Sequence, residues 1–316
     1  MKILANDGIA SGGKKQLEEA GFEVISTKVA QEQLPGYIKE NDISGIIVRS
    51  ATKVRKDLID SCPNLKIIGR AGVGMDNIDV DYARSKGVHV FNTPAASSAS
   101  VAELVFAHLY GGVRFLYDSN RNMPLEGDSR FKELKKNYAG GRELRGKTLG
   151  IIGFGRIGRE VAKIALGIGM KVIASDSSEG EAEITLEFYN HQEIKIPIKT
   201  EPVEELIKHS DFITLHVPAQ EEPILGREEF QKMKDGVGII NAARGGVVNE
   251  VALVEALESG KVSFAGLDTF EEEPSPAIKV LMNEKISLSP HIGAATNEAQ
   301  ERIGYELAEE IIKVLN

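Results

Sequence analysis

Two series of short β-branched runs, each run followed by an amphipathic helical stretch, set the strongest limit on how this chain can fold. The first series is KILA (2–5), EVIS (23–26), GIIV (45–48), KIIG (66–69) and VHVF (88–91). The second is LGIIG (149–153), KVIAS (171–175), FITLH (212–216), VGIIN (237–241), FAGLD (264–268) and KISLS (285–289). Parallel strands need a long crossover between them, and a helix is the compact way to make one. The alternation therefore predicts an α/β protein with parallel sheets, and 316 residues allow about two domains. A longer helical pattern runs from Ser98 to Phe115, with Val101, Leu104, Val105, His108 and Leu109 on one face. The charged stretch Asp118 to Arg145 reads as a loop with a helical turn. From Asn297 a last helix turns Ile303, Leu307, Ile311 and Val314 inward.

Composition excludes several classes. No apolar run approaches the roughly 20 residues needed to span a bilayer, so no membrane partner is expected. A single cysteine, Cys62, rules out an internal disulfide and suits a reducing cytoplasm. It is expected to be a buried, inert thiol. The net charge of −9 argues against a nucleic-acid partner. An acidic chain can still hold an anionic substrate where basic groups cluster.

One segment interrupts the alternation. ITLEF (184–188) and EIKIPI (193–198) each alternate apolar and polar residues, and Tyr189 to Gln192 make a turn between them. A β-hairpin is predicted, its apolar face suited to an oligomer contact, with an irregular surface loop as the alternative.

Gly153-Phe-Gly155-Arg-Ile-Gly158 directly follows the strand LGIIG and opens a helix, and Asp176 ends the next strand. That context makes the glycines a dinucleotide fingerprint. Gly153 permits the tight turn, Gly155 lets the backbone approach a pyrophosphate, and Gly158 allows close helix–strand packing. The helix N-terminus offers N–H groups and partial positive charge to the phosphates. Asp176 would accept the adenosine ribose hydroxyls and repel a 2′-phosphate, which predicts NAD rather than NADP as the cofactor.

Three further motifs sit past the carboxyl ends of second-series strands: NAARGG (241–246), LDTFEEEP (267–274) and SPHIGAAT (289–296). Ligands bind at those ends in open α/β sheets. Arg244 can hold a carboxylate bidentately and polarise the adjacent carbonyl. His291 can take and return a hydroxyl proton near neutrality. Glu273 can orient that imidazole and stabilise its cation. No metal is needed for this chemistry.

At this point the chain resembles the D-isomer-specific 2-hydroxyacid dehydrogenase family. The resemblance runs through VRSATKV (48–54), GRAGVGMDNID (69–79), FNTP (91–94), SVAELV (100–105), GKTLGIIGFGRIGRE (146–160) and the later motifs. It implies two doubly wound domains with a cleft between them. Residues 1–97 and 290–316 would form a flavodoxin-like substrate domain, and 98–289 a Rossmann domain that carries homodimer contacts. It implies Arg244, Glu273 and His291 as the catalytic trio. Cofactor contacts would come from Arg156, Ile157, Asp176, His216, Val217, Pro218, Ala242, Ala243, Arg244 and Asp268, and from the turn His291 to Ala294 that includes Gly293. Asp268 would hold the nicotinamide carboxamide.

The resemblance also implies that the substrate carboxylate meets the backbone of Gly72, Val73 and Gly74. Its leading substrate is 3-phospho-D-glycerate, on a route to serine. Arg49, Ser50, Lys53 and Arg70 are candidates for that substrate, with Lys135 or Lys136 of a neighbouring subunit. Ser97 stands where many relatives have an asparagine near the substrate. A glyoxylate or hydroxypyruvate reductase is the alternative, and an NAD-sensing co-repressor-like binding protein a minor one. The chain stops at Asn316, so no serine-sensing regulatory domain is expected.

Overall fold

In a computed structural model that describes residues 1–178 and 180–315, the chain divides into two compact units. One comprises Met1–Ser100 and the segment from Ala294 onward; the other is Val101–Gly293.

The first unit is built on β1 (Lys2–Ala5), β2 (Glu23–Ile25), β3 (Ile43–Val48), β4 (Ile67–Arg70) and β5 (His89–Asn92). They form one parallel sheet in the order β2-β1-β3-β4-β5. Helices cover both faces, so the strands are apolar along nearly their whole length. Ile3, Ile46, Ile47, Ile67 and Ile68 are completely buried. On one face the helix Ser11–Glu19 lies against the helix Asn297–Leu315. Their backbones approach so closely that a Cβ on Gly13 would lie 2.3 Å from the carbonyl oxygen of Gly304.

The second unit contains β6 (Thr148–Ile152), β7 (Lys171–Ser175), β8 (Glu181–Glu187), β9 (Glu193–Lys199), β10 (Phe212–Leu215), β11 (Val237–Asn241), β12 (Val262–Leu267) and β13 (Ile286–Leu288). Six of them make a parallel sheet in the order β13-β12-β11-β10-β6-β7. The chain winds outward from β6 to β7 and then returns to β10 on the other side of β6. That reversal creates a crevice past the carboxyl ends of β6 and β10, where doubly wound folds bind ligands.

β8 and β9 form a separate antiparallel hairpin, pairing Ala182 with Ile198 and Ile184 with Ile196. His191 in its turn takes the left-handed conformation, at φ 63°. Part of the face expected to meet another subunit is covered by the chain itself. Ala182, Ile184 and Ile198 are buried against Val161, Ala162 and Ala165 of the chain's own helix Arg156–Gly167. Only the outer part stays open, with Phe188 46 %, Ile194 51 % and Tyr189 99 % exposed.

The stretch Asp118 to Arg145 also differs from its reading as a loop. It holds two helices, Leu116–Glu126 and Phe131–Asn137. Phe115, left-handed at φ 53°, separates them from the helix Ser98–Val113. Charge density and glycines hid the helices in the sequence, where the bonds that tie them, some local and some not, do not show. Tyr138 donates to Asp118 at 2.8 Å and accepts from Asn122 at 2.8 Å, and Arg130 pairs with both Glu126 and Glu133. Cys62 is buried, and burial pushes its thiol pKa up. No helix among the described residues is long and apolar enough to cross a membrane.

Candidate active site

The glycine turn joins β6 to the helix Arg156–Gly167. Gly153 has φ 92°, and a Cβ there would lie 2.4 Å from the carbonyl oxygen of His216 at the end of β10. A Cβ on Gly158 would lie 2.2 Å from the carbonyl oxygen of Gly153. Gly155, by contrast, has nothing among the described residues within 4 Å of its Cβ position, and no described side chain caps the helix behind it. The first-turn N–H groups of this helix therefore face open ground that a pyrophosphate fits. Asp176 lies just past β7. One oxygen accepts the Phe154 N–H at 2.7 Å, and the other accepts from the Ser178 N–H at 2.9 Å and hydroxyl at 2.8 Å. The carboxylate thus pins the glycine turn from the position where a ribose would lie. Arg156 is exposed and Ile157 half-buried on the same helix.

Beyond β10, His216 and Val217 are half-buried and Pro218 is exposed. His216 Nε2 lies 3.0 Å from the Thr214 hydroxyl, while Nδ1 is a buried atom without a partner among the described residues. Burial pushes this imidazole's pKa down to about 3, so it is neutral. The open helix terminus, the carboxylate at the second strand and an unpartnered ring nitrogen beside the glycine turn fit an NAD molecule.

Beyond β11, Asn241 shapes the next turn. Its side chain accepts from the Ala243 N–H at 3.1 Å and donates to the Arg244 carbonyl at 2.8 Å. Ala242 and Ala243 are buried, and Arg244 Nη1 donates to the Ala243 carbonyl at 2.7 Å. Gly245 brings this turn against the backbone of Phe270. The acidic run after β12 is pinned by a reciprocal pair. Glu250 accepts the Glu271 N–H and Glu271 accepts the Glu250 N–H, both at 2.8 Å. Burial raises the Glu250 pKa, although its bond from the Glu271 N–H opposes the shift.

Glu273 and His291 meet. Oε1 of Glu273 accepts the Phe270 N–H at 3.1 Å, and Oε2 lies 2.9 Å from Nδ1 of His291. A carboxylate acceptor places a proton on Nδ1, which leaves Nε2 as the bare nitrogen. Among the described residues Nε2 has no partner. His291 holds φ 54°, a conformation rare for a residue with a Cβ. Asp268, expected to reach toward a nicotinamide, is 1 % exposed and bonded to the turn that carries His291. Gly293 is buried beside it.

In the first unit, Asp7 and Asn77 shape the loop after β3. Asp7 accepts the Arg49 N–H at 2.7 Å and the Thr52 hydroxyl at 2.9 Å. Asn77 donates to the carbonyls of Arg49 and Thr52. Ser50 and Lys53 are exposed on this loop. Among the described residues the side chains of Arg49 and Lys53 have no hydrogen-bond or ion-pair partner. After β4, the Arg70 guanidinium folds back over Gly72, whose φ of 137° requires glycine. Asn92 donates to the Val73 carbonyl, and the N–H groups of Val73 and Gly74 have no acceptor among the described residues. Ser97 is 1 % exposed, its hydroxyl without a partner among the described residues, so it is buried rather than displayed. Ala294 belongs to this unit, and its carbonyl accepts from Gln300 at 2.7 Å.

Sequence reasoning missed Asp7, Asn77, Asn241 and Glu250. For Asp7 and Asn241 a polar residue at or just past a strand end was the available signal; Asn77 and Glu250 lie well beyond a strand and bond to backbone distant in sequence.

Residues 106–293 match the family described as D-isomer specific 2-hydroxyacid dehydrogenase, NAD binding domain. A hydroxypyruvate reductase of Thermotoga maritima is 47 % identical, over 93 % of this chain and 91 % of its own length. A D-3-phosphoglycerate dehydrogenase of Methanocaldococcus jannaschii is 42 % identical over 100 % of this chain, which spans only 57 % of that relative. The structure of NAD⁺-bound 3-phosphoglycerate dehydrogenase from Entamoeba histolytica superposes with a TM-score of 0.77 at 29 % identity, over 99 % of this chain and 94 % of that one. With the family matched over most of the chain and relatives matched across it, the chain belongs to the NAD-dependent D-isomer-specific 2-hydroxyacid dehydrogenases.

Proposed function

We propose that this enzyme oxidises 3-phospho-D-glycerate to 3-phosphohydroxypyruvate, in the cytoplasm and on the route to serine. The observation that carries the choice of substrate is the pair of unpartnered cations, Arg49 and Lys53, on the loop after β3. In a chain of net charge −9, two cationic side chains on one loop, neither paired with a carboxylate among the described residues, suit a phosphate. The free N–H groups of Val73 and Gly74 suit the substrate carboxylate.

The dyad of the second unit suits the proton. Nε2 of His291 takes the hydroxyl proton, and Glu273 stabilises the resulting imidazolium through Nδ1. Arg244 holds the negative charge of the substrate carboxylate and polarises the carbonyl that forms. NAD, when bound, accepts the hydride. The exposed apolar side chains Tyr110, Leu116, Met123, Leu125 and Phe131, all in the second unit, support a homodimer through this unit.

A hydroxypyruvate reductase is the second reading, favoured by the relative of that name whose length this chain nearly fills. NADH formation with 3-phosphoglycerate, D-glycerate and D-lactate separates the two. The phosphorylated acid should lead in kcat/KM by about tenfold or more, the factor that ~1.4 kcal/mol of transition-state binding gives. Arg49→Ala should erase most of that lead. Equal turnover of D-glycerate would transfer the assignment to the reductase.

A further inference from the structure

His108 lies on the buried face of the helix Ser98–Val113 and is 5 % exposed. Its Nδ1 is 2.8 Å from the Ser287 hydroxyl and its Nε2 is 2.9 Å from the Ser289 hydroxyl. These serines are two residues apart at β13 and so share one face. The Ser289 hydroxyl lies 2.6 Å from one oxygen of Asp268. That carboxylate also accepts the N–H groups of Ile292 and Gly293, each at 2.8 Å. Both N–H groups belong to the residues just after His291, whose left-handed backbone persists only where its surroundings fix it.

The direction of each bond follows from counting protons. Backbone N–H groups only donate, so both Asp268 oxygens act as acceptors. Ser289 spends its single proton on Asp268, and its oxygen can then only accept from His108. This places the ring proton on Nε2. Burial pushes the His108 pKa down, against the pull of Asp268, the charged group facing the ring, so the ring is neutral. Nδ1 is therefore bare and accepts from Ser287. The row runs one way: Ser287 to His108, His108 to Ser289, Ser289 to Asp268. Each bond polarises the next. Gly266 on β12 makes the room, since a Cβ there would lie 2.6 Å from Cβ of His108.

We propose that His108, in its Nε2-protonated tautomer, is a positioning residue that acts through Ser289 and Asp268 to hold the His291–Gly293 turn in its reactive conformation. The proposal rests on reading His291 as the acid–base group. Removing the ring leaves Ser289 free to rotate and Asp268 with a less directed partner, and His291 drifts with its turn.

The test has two arms. Long-range ¹H–¹⁵N correlation of the histidine rings, with His108 assigned by its loss in His108→Gln, should show Nε2 protonated and Nδ1 bare in the protein without cofactor. A ring protonated on Nδ1, or on both nitrogens, overturns the proposal. In the second arm His108→Leu should lower kcat by about tenfold, roughly the worth of one lost hydrogen bond in a coupled row, with KM changed far less. His108→Gln, which can still donate to Ser289, should recover most of the rate. A His108→Leu enzyme that loses thermal stability but keeps its kcat has only a packing residue there, and the proposal fails. His291→Ala separates the two ideas: full activity in that variant removes the acid–base reading but leaves the tautomer result standing.

Discussion

A Cβ on Gly245 would lie 1.7 Å from the carbonyl oxygen of Phe270, closer than any such pair can sit. The turn carrying Arg244 and the turn carrying Glu273 are thus in backbone contact, and only glycine allows it. Gly245→Ala should push them apart. A displacement of about 1 Å in a reacting constellation costs about 10²-fold in rate, so kcat should fall by about that much. Affinity for NADH, read by its fluorescence, should hardly change. Equal losses in affinity and rate would mean that the spacing serves the cofactor rather than the proton transfer.

His291→Ala should remove about 10²–10⁴-fold of turnover, the usual share of a positioned acid–base group, with NADH still bound. Glu273→Gln should be milder. The amide keeps an oxygen for Nδ1 but withdraws the charge that favours the imidazolium, so the acid limb of the pH–rate profile for oxidation should move to lower pH. A Glu273→Gln profile that superimposes on the parent's would remove Glu273 from the proton's path.

Asp176 should decide between the two nicotinamide cofactors. Asp176→Ala removes the charge that repels a 2′-phosphate, and also the acceptor that pins Phe154 in the glycine turn. NAD efficiency should drop and the gap to NADP should narrow, as kcat/KM for each cofactor will show. An unmodified enzyme that uses both equally well would refute this role.

Glu250 gives the fold a pH dependence of known sign. Burial raises its folded-state pKa above the unfolded value. Its favourable contribution is therefore complete below the unfolded value and is lost as pH rises through the folded one. Glu250→Gln retains an oxygen for the Glu271 N–H without the buried charge. The variant should melt above the parent at neutral pH by about 2–4 °C, what ~1 kcal/mol gives in a unit of this size. The difference should shrink as the pH is lowered toward 4.5, where the parent carboxyl is increasingly neutral in both states. A constant offset at every pH would mean that the carboxyl is not the cause.

Much of the fold was legible because parallel strands buried on both faces advertise themselves as β-branched runs. KILA, KVIAS and VGIIN begin and end where β1, β7 and β11 do. The helices at Leu116–Glu126 and Phe131–Asn137 were not legible, because Asp118 and Tyr138 stabilise them from positions that local pattern does not connect. The acidic and imidazole motifs of the candidate site could be read because each sits at a strand end. The buried row behind them could not. Nothing in SLS (287–289) points to a histidine on a helix far earlier in the chain, and only the packing of that helix on β13 brings them together.

The meeting of Gly13 with Gly304 has a consequence for biogenesis. The first unit takes its covering helix from a segment that follows the second unit, so it stays open while residues 101–293 are synthesised. Translation at about 5–20 residues per second makes that delay on the order of tens of seconds. Throughout it, Ile3, Leu17, Ile47 and Ile67 lack the Ile303, Leu307 and Ile311 side chains that later shield them. The unit begun first is thus sealed last, and the nascent chain's need for chaperone protection scales with the length of the unit inserted into it.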